Sequence, residues 1–393
     1  MIRERGNLGR HRDSSRATGA VHPAWDEMAI RREVAAIQRP ASRRDHGGHG
    51  SDPDIGVLVQ MDDASHPKQI DELHAEFDRF GVRGFWQPRA ESPKAVPRLW
   101  RWREVHPLLM EASRIINLGD EAYRRFVGLQ TRSQTMAFGY QIVMPGEHAA
   151  AHRHSASAIR FVVQGHGAYT TSNGEPMPMA PGDLLTQPNW VWHDHTNNTR
   201  EPMIWLDSLD GGVIRMLDAR FAEVWPNGDA QPFTRPKGYS RQRYGAARSP
   251  SDRDWAVPFH YEWGDTQRTL HLMAENGEVD PHDGVMLGYA NPVTGGYTSR
   301  NIACFIQMLL PGEKTKSHRH TGTAIYHVYS GTGVTVVGEG KTANLEWQDK
   351  DAFVVPSWSR HYHQNLSDTP AYLFSVSDRP IVEAAGCYRE DLA

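Results

Sequence analysis

Three histidines near the middle of the chain have the type and spacing to hold a metal ion. His152 and His154 are two residues apart, so on one strand their side chains leave the same face, and His193 is expected from a neighbouring strand. Imidazole donors suit Fe, Zn, Cu or Ni. Three of them on one side of an ion leave the opposite side open, as in non-haem Fe(II) oxygenases. Arg160 shares parity with 152, 154 and 158, so it is expected to point inward with the ligands. A buried arginine needs an anion. A structural ion pair with a buried Asp or Glu is one reading, and an anchor for a substrate carboxylate is the reading preferred here. His195 falls on the same face as His193, where a fourth ligand, a proton acceptor and a histidine satisfied by backbone are all open.

The same pattern occurs twice. Five residues separate Gly146 from His152, and five separate Gly312 from His318. His152-Arg153-His154 returns as His318-Arg319-His320, followed at equal distance by Ala158 and Ala324 and then by Gly165 and Gly331. Pro188-x-Trp190-x-x-His193-x-His195-x-Asn197 returns as Pro356-x-Trp358-x-x-His361-x-His363-x-Asn365. So many fixed spacings indicate a tandem duplication. The second copy keeps a metal-capable triad, His318, His320 and His361, but has Tyr326 where the first has Arg160.

The elements that must position these residues follow from the surrounding pattern. From about Thr135, short strand-like runs alternate with Pro-Gly and Gly-rich turns, the mark of an all-β barrel or sandwich. Strands are expected at Met136–Met144, Ile159–Val163, Ala168–Thr171, Leu184–Gln187 and Pro202–Leu206. Upstream, Ile70, Leu73, Phe77 and Phe80 recur at helical spacing, so a helix is expected over Lys68–Phe80, stopped by Gly81. A second is expected over His106–Asn117 with Pro107 in its first turn. Leu99-Trp100-Arg101-Trp102 between them reads as loop and packing anchors. The resulting division is residues 1–60, poor in large apolar side chains, as an extension whose translation start could lie at Met28 or Met61; 61–130 as a helical collar; 131–225 as the first barrel; 226–280 as a connector; and 281–393 as the second barrel.

Composition narrows the function. With 39% apolar and 23% charged residues and a formal charge of −4, the chain reads as globular with a sizeable core. It carries no basic stripe for nucleic acid and no apolar run long enough to cross a bilayer. Two cysteines, Cys304 and Cys387, cannot build a disulfide framework, which favours a reducing compartment such as the cytoplasm.

Taken together, these motifs resemble the cupin family: Gly, five residues, His-x-His, a Glu, and a Gly, then a second motif with Pro-x-Gly, His and Asn. The departures are Ala158 and Ala324 for the Glu, Trp190 and Trp358 for the Gly of the second motif, and Lys350 where the first copy has Gly182. Two such motifs without the Glu, together with Trp190-x-Trp192-His193-Asp194-His195 and Asn291-Pro292-Val293-Thr294-Gly295-Gly296, resemble the gentisate/salicylate/1-hydroxy-2-naphthoate 1,2-dioxygenases.

The resemblance implies two tandem cupin (double-stranded β-helix, or jelly-roll) barrels after an N-terminal helical segment. It also implies one Fe(II) per subunit in the first barrel, O2 and a small aromatic acid as substrates, and a homotetramer. Without the Glu, an ion keeps its full charge until a chelating 2-hydroxybenzoate supplies carboxylate and phenolate together. By the same resemblance, His195 contacts substrate and helps to deprotonate the phenol, and Gln141, Gly139 and Trp205 line the ring pocket. Asp207 and Asp210 are placed to orient a histidine. Arg114 is a weaker candidate for the carboxylate, with an exposed helix-end arginine as the alternative. Ala137 stands where relatives often carry a large aromatic residue, which implies room for a substituted or second ring. The expected reaction is ring cleavage of salicylate or a 5-substituted salicylate between the carboxyl- and hydroxyl-bearing carbons. A 1-hydroxy-2-naphthoate dioxygenase and a metal-dependent isomerase or decarboxylase are the alternatives.

Overall fold

The computed structural model describes residues 66–79, 94–119, 122–245 and 257–392. Expectations for residues 1–60, for Met28 and Met61 and for Phe85-Trp86 fall outside these. Within a first unit, Met1–Arg89, the described element is helix α1 (His66–Arg79), which begins two residues before the expected start.

The second unit, Ala90–Ala393, holds the repeat. It opens with β1 (Arg98–Trp100) and helix α2 (Trp102–Ile115). The first barrel follows: β2 (Phe126–Gly128), β3 (Ala137–Val143), β4 (His148–His154), β5 (Ala158–Gln164), β6 (Tyr169–Ser172), β7 (Glu175–Pro178), β8 (Leu184–Gln187), β9 (His193–Thr196) and β10 (Met203–Leu209). Helix α3 (Gly211–Met216), β11 (Ala222–Val224), helix α4 (Tyr239–Gly245), β12 (Phe259–Tyr261) and helix α5 (Trp263–Glu275) lead to the second barrel. That barrel comprises β13 (Val285–Gly288), β14 (Ala303–Leu309), β15 (Arg319–His320), β16 (Ala324–Ser330), β17 (Gly333–Val337), β18 (Ala343–Trp347), β19 (Ala352–Val355), β20 (His361–Asn365) and β21 (Ala371–Ser377). Helix α6 (Arg379–Ala384) and β22 (Glu390–Asp391) end the chain.

In each barrel a six-stranded antiparallel sheet faces a smaller one. The large sheets run β12-β8-β5-β10-β3-β2 and β1-β19-β16-β21-β14-β13. Their edge strands are exchanged in sequence terms. β1 precedes the first barrel yet pairs with β19 of the second, and β12 follows the first barrel's last turn yet pairs with β8. Leu99-Trp100 is therefore edge strand, not loop.

The two large sheets are buried on both faces. On β5, Val162 faces the first barrel's interior, while Ile159, Phe161 and Val163 pack with Ile306, Ile325, Phe374 and Val376 of the second barrel. Phe161 and Phe374 stack with ring centroids 4.1 Å apart. This shared middle layer explains why β5, β10, β16 and β21 read as continuous apolar runs and not as alternating ones.

Helix α2 adds Val105 and Leu109 to that layer. It starts four residues before the expected position, so Pro107 lies inside it. The cause is a distant cap: Asp351 Oδ1 accepts from the Trp102 N–H at 2.7 Å, and local sequence carries no sign of it.

His327 is buried in the shared layer, its Nδ1 3.2 Å from the Tyr140 hydroxyl. Burial, aided by the Lys350 charge, holds its pKa down at about 3. Below about pH 6.5 the unfolded chain gains a proton here that the folded chain refuses, so stability is withdrawn as pH falls across that window. His327→Gln should flatten the decline between about pH 6 and 4 by up to one proton, about 1.4 kcal/mol per pH unit. Equal slopes for both proteins in urea titrations would contradict this.

Candidate active site

The first barrel's smaller sheet, β11-β4-β9-β6-β7, carries the histidines. β4 pairs with β9 so that His152 lies opposite His193, and a bulge between Ala149 and His152 sets this register. His154 follows two residues on. The ring nitrogens of His152, His154 and His193 all lie within 4.8 Å of one another. His154 Nδ1 is 2.8 Å from Ala156 O, and His193 Nδ1 is 2.9 Å from Val191 O. Carbonyls only accept, so these Nδ1 atoms carry protons and each Nε2 keeps a lone pair. Burial, followed by the neighbouring cations, keeps the rings neutral; His154 is held down at about 4, and His193 lies well below the usual histidine range. Three converging neutral imidazoles, two of them with the outer nitrogen anchored on a carbonyl, fit a divalent metal.

The triad opens on a cavity of about 700 Å³ whose lining includes Ala137, Gln141, Arg160 and Asp207. Arg160 comes from β5, not from the ligand strand. A turn at residues 155–157 separates β4 from β5, so parity does not carry across; β5's own even positions face inward. Asp207, on β10, lies directly opposite Arg160 in the sheet. The two form a buried pair with Arg160 Nε 3.4 Å from Asp207 Oδ1, too poorly aligned for a hydrogen bond. Arg160 Nε and Nη1, Asp207 Oδ1 and the Gln141 amide nitrogen are all buried without a hydrogen-bond partner. Burial pulls the Arg160 pKa down, opposed by Asp207, and pushes Asp207 up, opposed by Arg160.

Arg124, unforeseen from the sequence, also lines the cavity. It arrives on the segment leading into β2. Its Nη2 donates to Ala150 O at 2.7 Å and stands 2.6 Å from His152 Nδ1. Burial and the Arg160 charge pull its pKa down to about 9. Exposed Arg215 and Arg220 line the outer part of the cavity. Although the chain is net negative, this cavity is rich in cations, which favours anionic ligands.

Several expectations change. Arg114 is not in the site: its side chain is 71% exposed and paired with Glu111. Gly139 does not line the cavity. A Cβ there would sit 2.4 Å from Val127 O, so it is glycine to let β2 approach β3. Trp205 is fully buried in the barrel interior, its ring 4.9 Å from that of His195. Asp207 faces Arg160 and not a histidine, and Asp210 accepts from the Ser157 N–H and the Asn301 amide. His195 lies deeper than the triad, with Nδ1 2.9 Å from Thr170 Oγ1 and Nε2 buried without a partner. Ala137, exposed at the start of β3, lines the cavity with Phe126 and Leu209.

The second barrel repeats the scaffold. His318, His320 and His361 also lie with ring nitrogens within 4.8 Å, and His363 Nδ1 is 2.8 Å from Thr335 Oγ1 as His195 is from Thr170. Trp190 and Trp358 keep left-handed backbones, with φ of 65° and 60°, as does Lys350 at 68°. Gly182, the first-copy counterpart of Lys350, has the same left-handed backbone at φ 87°. Each Trp ring is covered by the arginine of its own His-Arg-His motif, at 4.4 and 4.7 Å. The charge pair is not repeated: the residues matching Arg160 and Asp207 are Tyr326 and Ser375, again directly opposite each other.

Fold and site together define a protein of two cupin domains, and the cupin domain model matches residues 139–209 and 305–377. The chain is 36% identical over 346 residues to the 5-aminosalicylate 1,2-dioxygenase of a Comamonas species, covering 83% of this chain and 91% of that one. It is 36% identical over 324 residues to the 1-hydroxy-2-naphthoate 1,2-dioxygenase of Nocardioides sp. strain KP7, covering 79% and 81%. The crystal structure of the salicylate 1,2-dioxygenase of Pseudoaminobacter salicylatoxidans as an adduct with gentisate matches with a TM-score of 0.74 at 30% identity, over 85% of this chain and 96% of that one. The chain belongs to the gentisate/salicylate/1-hydroxy-2-naphthoate 1,2-dioxygenase family of ring-cleaving enzymes.

A buried charge stripped of its partner costs about 3–5 kcal/mol, whereas a well-packed neutral replacement of both partners is close to neutral. Asp207→Ser alone should therefore be strongly destabilising. Combining it with Arg160→Tyr, the pair the second barrel uses, should recover most of the loss. Additive losses in a denaturant double-mutant cycle would contradict this reading of the pair.

Proposed function

We propose that this chain is an Fe(II)-dependent dioxygenase that cleaves a salicylate-type 2-hydroxybenzoate between its carboxyl- and hydroxyl-bearing carbons, both atoms of O2 entering the product. The observation that carries this is the buried Arg160 with unspent N–H groups beside a three-histidine cluster. Catalysis belongs to the N-terminal cupin, residues 131–225, with 226–280 as connector and 281–393 as the second cupin. His152, His154 and His193 would hold one iron. When bound, Fe(II) supplies the redox chemistry by which O2 reacts with an electron-rich ring.

The remaining work falls to side chains of this chain. Arg160 binds the substrate carboxylate through its unpartnered N–H groups, with Asp207 beside it offsetting part of the charge. Arg124 adds a second positive charge. A carboxylate is a better acceptor than the His152 ring, so substrate draws Arg124 off His152 and leaves that Nδ1 to the Ala150 carbonyl. His195 accepts the hydroxyl proton at Nε2. Burial and then Arg160 depress its basicity, so it accepts only where the bound anion offsets the surrounding positive charge. Gln141 offers its free amide to a substrate oxygen. Ala137 and the roughly 700 Å³ cavity leave space beside the ring, which favours tolerance of a 5-substituent. The same space supports the second reading, a fused-ring 1-hydroxy-2-naphthoate as substrate.

Buried Cys304 and exposed Cys387 are both free, and no described helix is long and apolar enough to cross a membrane. Both observations support work in the cytoplasm, and a homotetramer accords with the family resemblance.

The test is anaerobic Fe(II) loading followed by O2 uptake with salicylate, gentisate, 5-aminosalicylate and 1-hydroxy-2-naphthoate, with product spectra. Uptake should match the substrate consumed one to one, and His152→Ala should abolish it. Arg160→Met should lower kcat/KM by about 10²-fold, the loss of a charge-assisted bond. No uptake with any member of the panel would overturn the proposal.

A further inference from the structure

Trp190 and Trp192 do not line the cavity, yet they lie directly before the third histidine. His193 is the first residue of β9, and a bulge interrupts the β4–β9 ladder between Ala149 and His152. Regular pairing therefore secures His195 and Thr196 better than it secures His193. The turn that leads into β9 must supply the rest. Val191 O, 2.9 Å from His193 Nδ1 and the anchor of that ring, sits in this turn between the two tryptophans. Trp190 keeps a left-handed backbone at φ 65°, a conformation that a bulky residue holds only where its surroundings enforce it. Its N–H donates to His154 O at 2.9 Å.

Arg153 supplies the enforcement. It stands between the other two ligands on β4, so its side chain leaves the opposite face of the strand. Its guanidinium carbon lies 4.4 Å from the ring centroid of Trp190 and 4.5 Å from that of Trp192. Its Nε and Nη2 donate to Glu223 Oε2 at 2.8 and 2.5 Å. The stack continues at both ends. Phe221 meets Trp190 edge-on with ring centroids 4.7 Å apart, and Trp225 meets Trp192 edge-on at 4.9 Å. Phe221 and Trp225 bracket β11, the strand that sets Glu223 opposite Arg153. One planar cation thus ties the strand with two ligands to the turn that carries the third. In the second barrel Arg360 takes the place of Trp192. Arg319 there faces Trp358, at 4.7 Å, without a second indole.

We propose that Arg153 is a positioning residue for the first triad, its guanidinium stacked on Trp190 and Trp192 to hold His193 in register with His152 and His154. The role rests on the reading of that triad as the metal site. The ion pair with Glu223 contributes little by itself, because the two side chains are 26% and 49% exposed. The planar stack sets the geometry.

Co(II) binding to the metal-free full chain tests it, read by the visible absorption that His152→Ala removes and by competition with a chelator. Arg153→Ala should weaken that site about tenfold or more and shift its absorption, while Tm stays near the native value. Arg153→Lys keeps the charge but not the plane, so most of the loss should persist. Glu223→Gln keeps the stack and should bind Co(II) within about twofold of the native chain. Native affinity and absorption in Arg153→Ala would overturn the positioning role. Full rescue by Arg153→Lys, or an equal loss in Glu223→Gln, would assign the effect to charge and overturn the stack. A native chain that shows no such absorption would overturn the metal triad itself, and this role with it.

Discussion

The guanidinium of Arg160 is the constraint on which the site turns. A permanent charge in a barrel interior must be compensated, and Asp207 compensates it only in part, at 3.4 Å and without hydrogen-bond alignment. The N–H groups left unspent beside the metal-capable triad receive the substrate's carboxylate in the proposed reading. In the proposed reading, removing the cupin carboxylate at Ala158 and adding this cation serve the same end: the site lacks a negative charge that the substrate brings.

The architecture makes this specialisation possible. The two large sheets bury their outer faces against each other through Phe161, Phe374, Tyr140 and Ile306. Each barrel therefore has a buried layer outside its own interior, in addition to the core inside it. The exchanged edge strands β1 and β12 tie the halves further. With the scaffold secured there, the interiors were free to diverge: Arg160 opposite Asp207 in one, Tyr326 opposite Ser375 in the other. Tyr326 instead stacks on Phe353, with ring centroids 4.8 Å apart.

Much of this was legible in the sequence where the governing interactions are local. The histidine spacings are set by strand period and tight turns, so both triads could be read, and so could the duplication. Arg160 was placed correctly for the wrong reason, since the parity count crossed a turn. Long-range partners were not legible. Asp207 lies 47 positions from Arg160, and Asp351 caps a helix 249 positions away. Arg124 escaped because the repeat loses its spacing upstream: Phe126 precedes Gln141 by 15 positions, but Met286 precedes Gln307 by 21. Arg114 attracted a role through its place at a helix end, where a glutamate three residues earlier already holds it.

The most direct measurement of the central claim is a crystal structure of the iron-loaded protein with salicylate, prepared without O2. The account predicts the carboxylate within about 3 Å of the Arg160 guanidinium, with the Asp207 pair retained behind it. Salicylate bound with its carboxylate away from Arg160, or seated only in the second barrel, would contradict it.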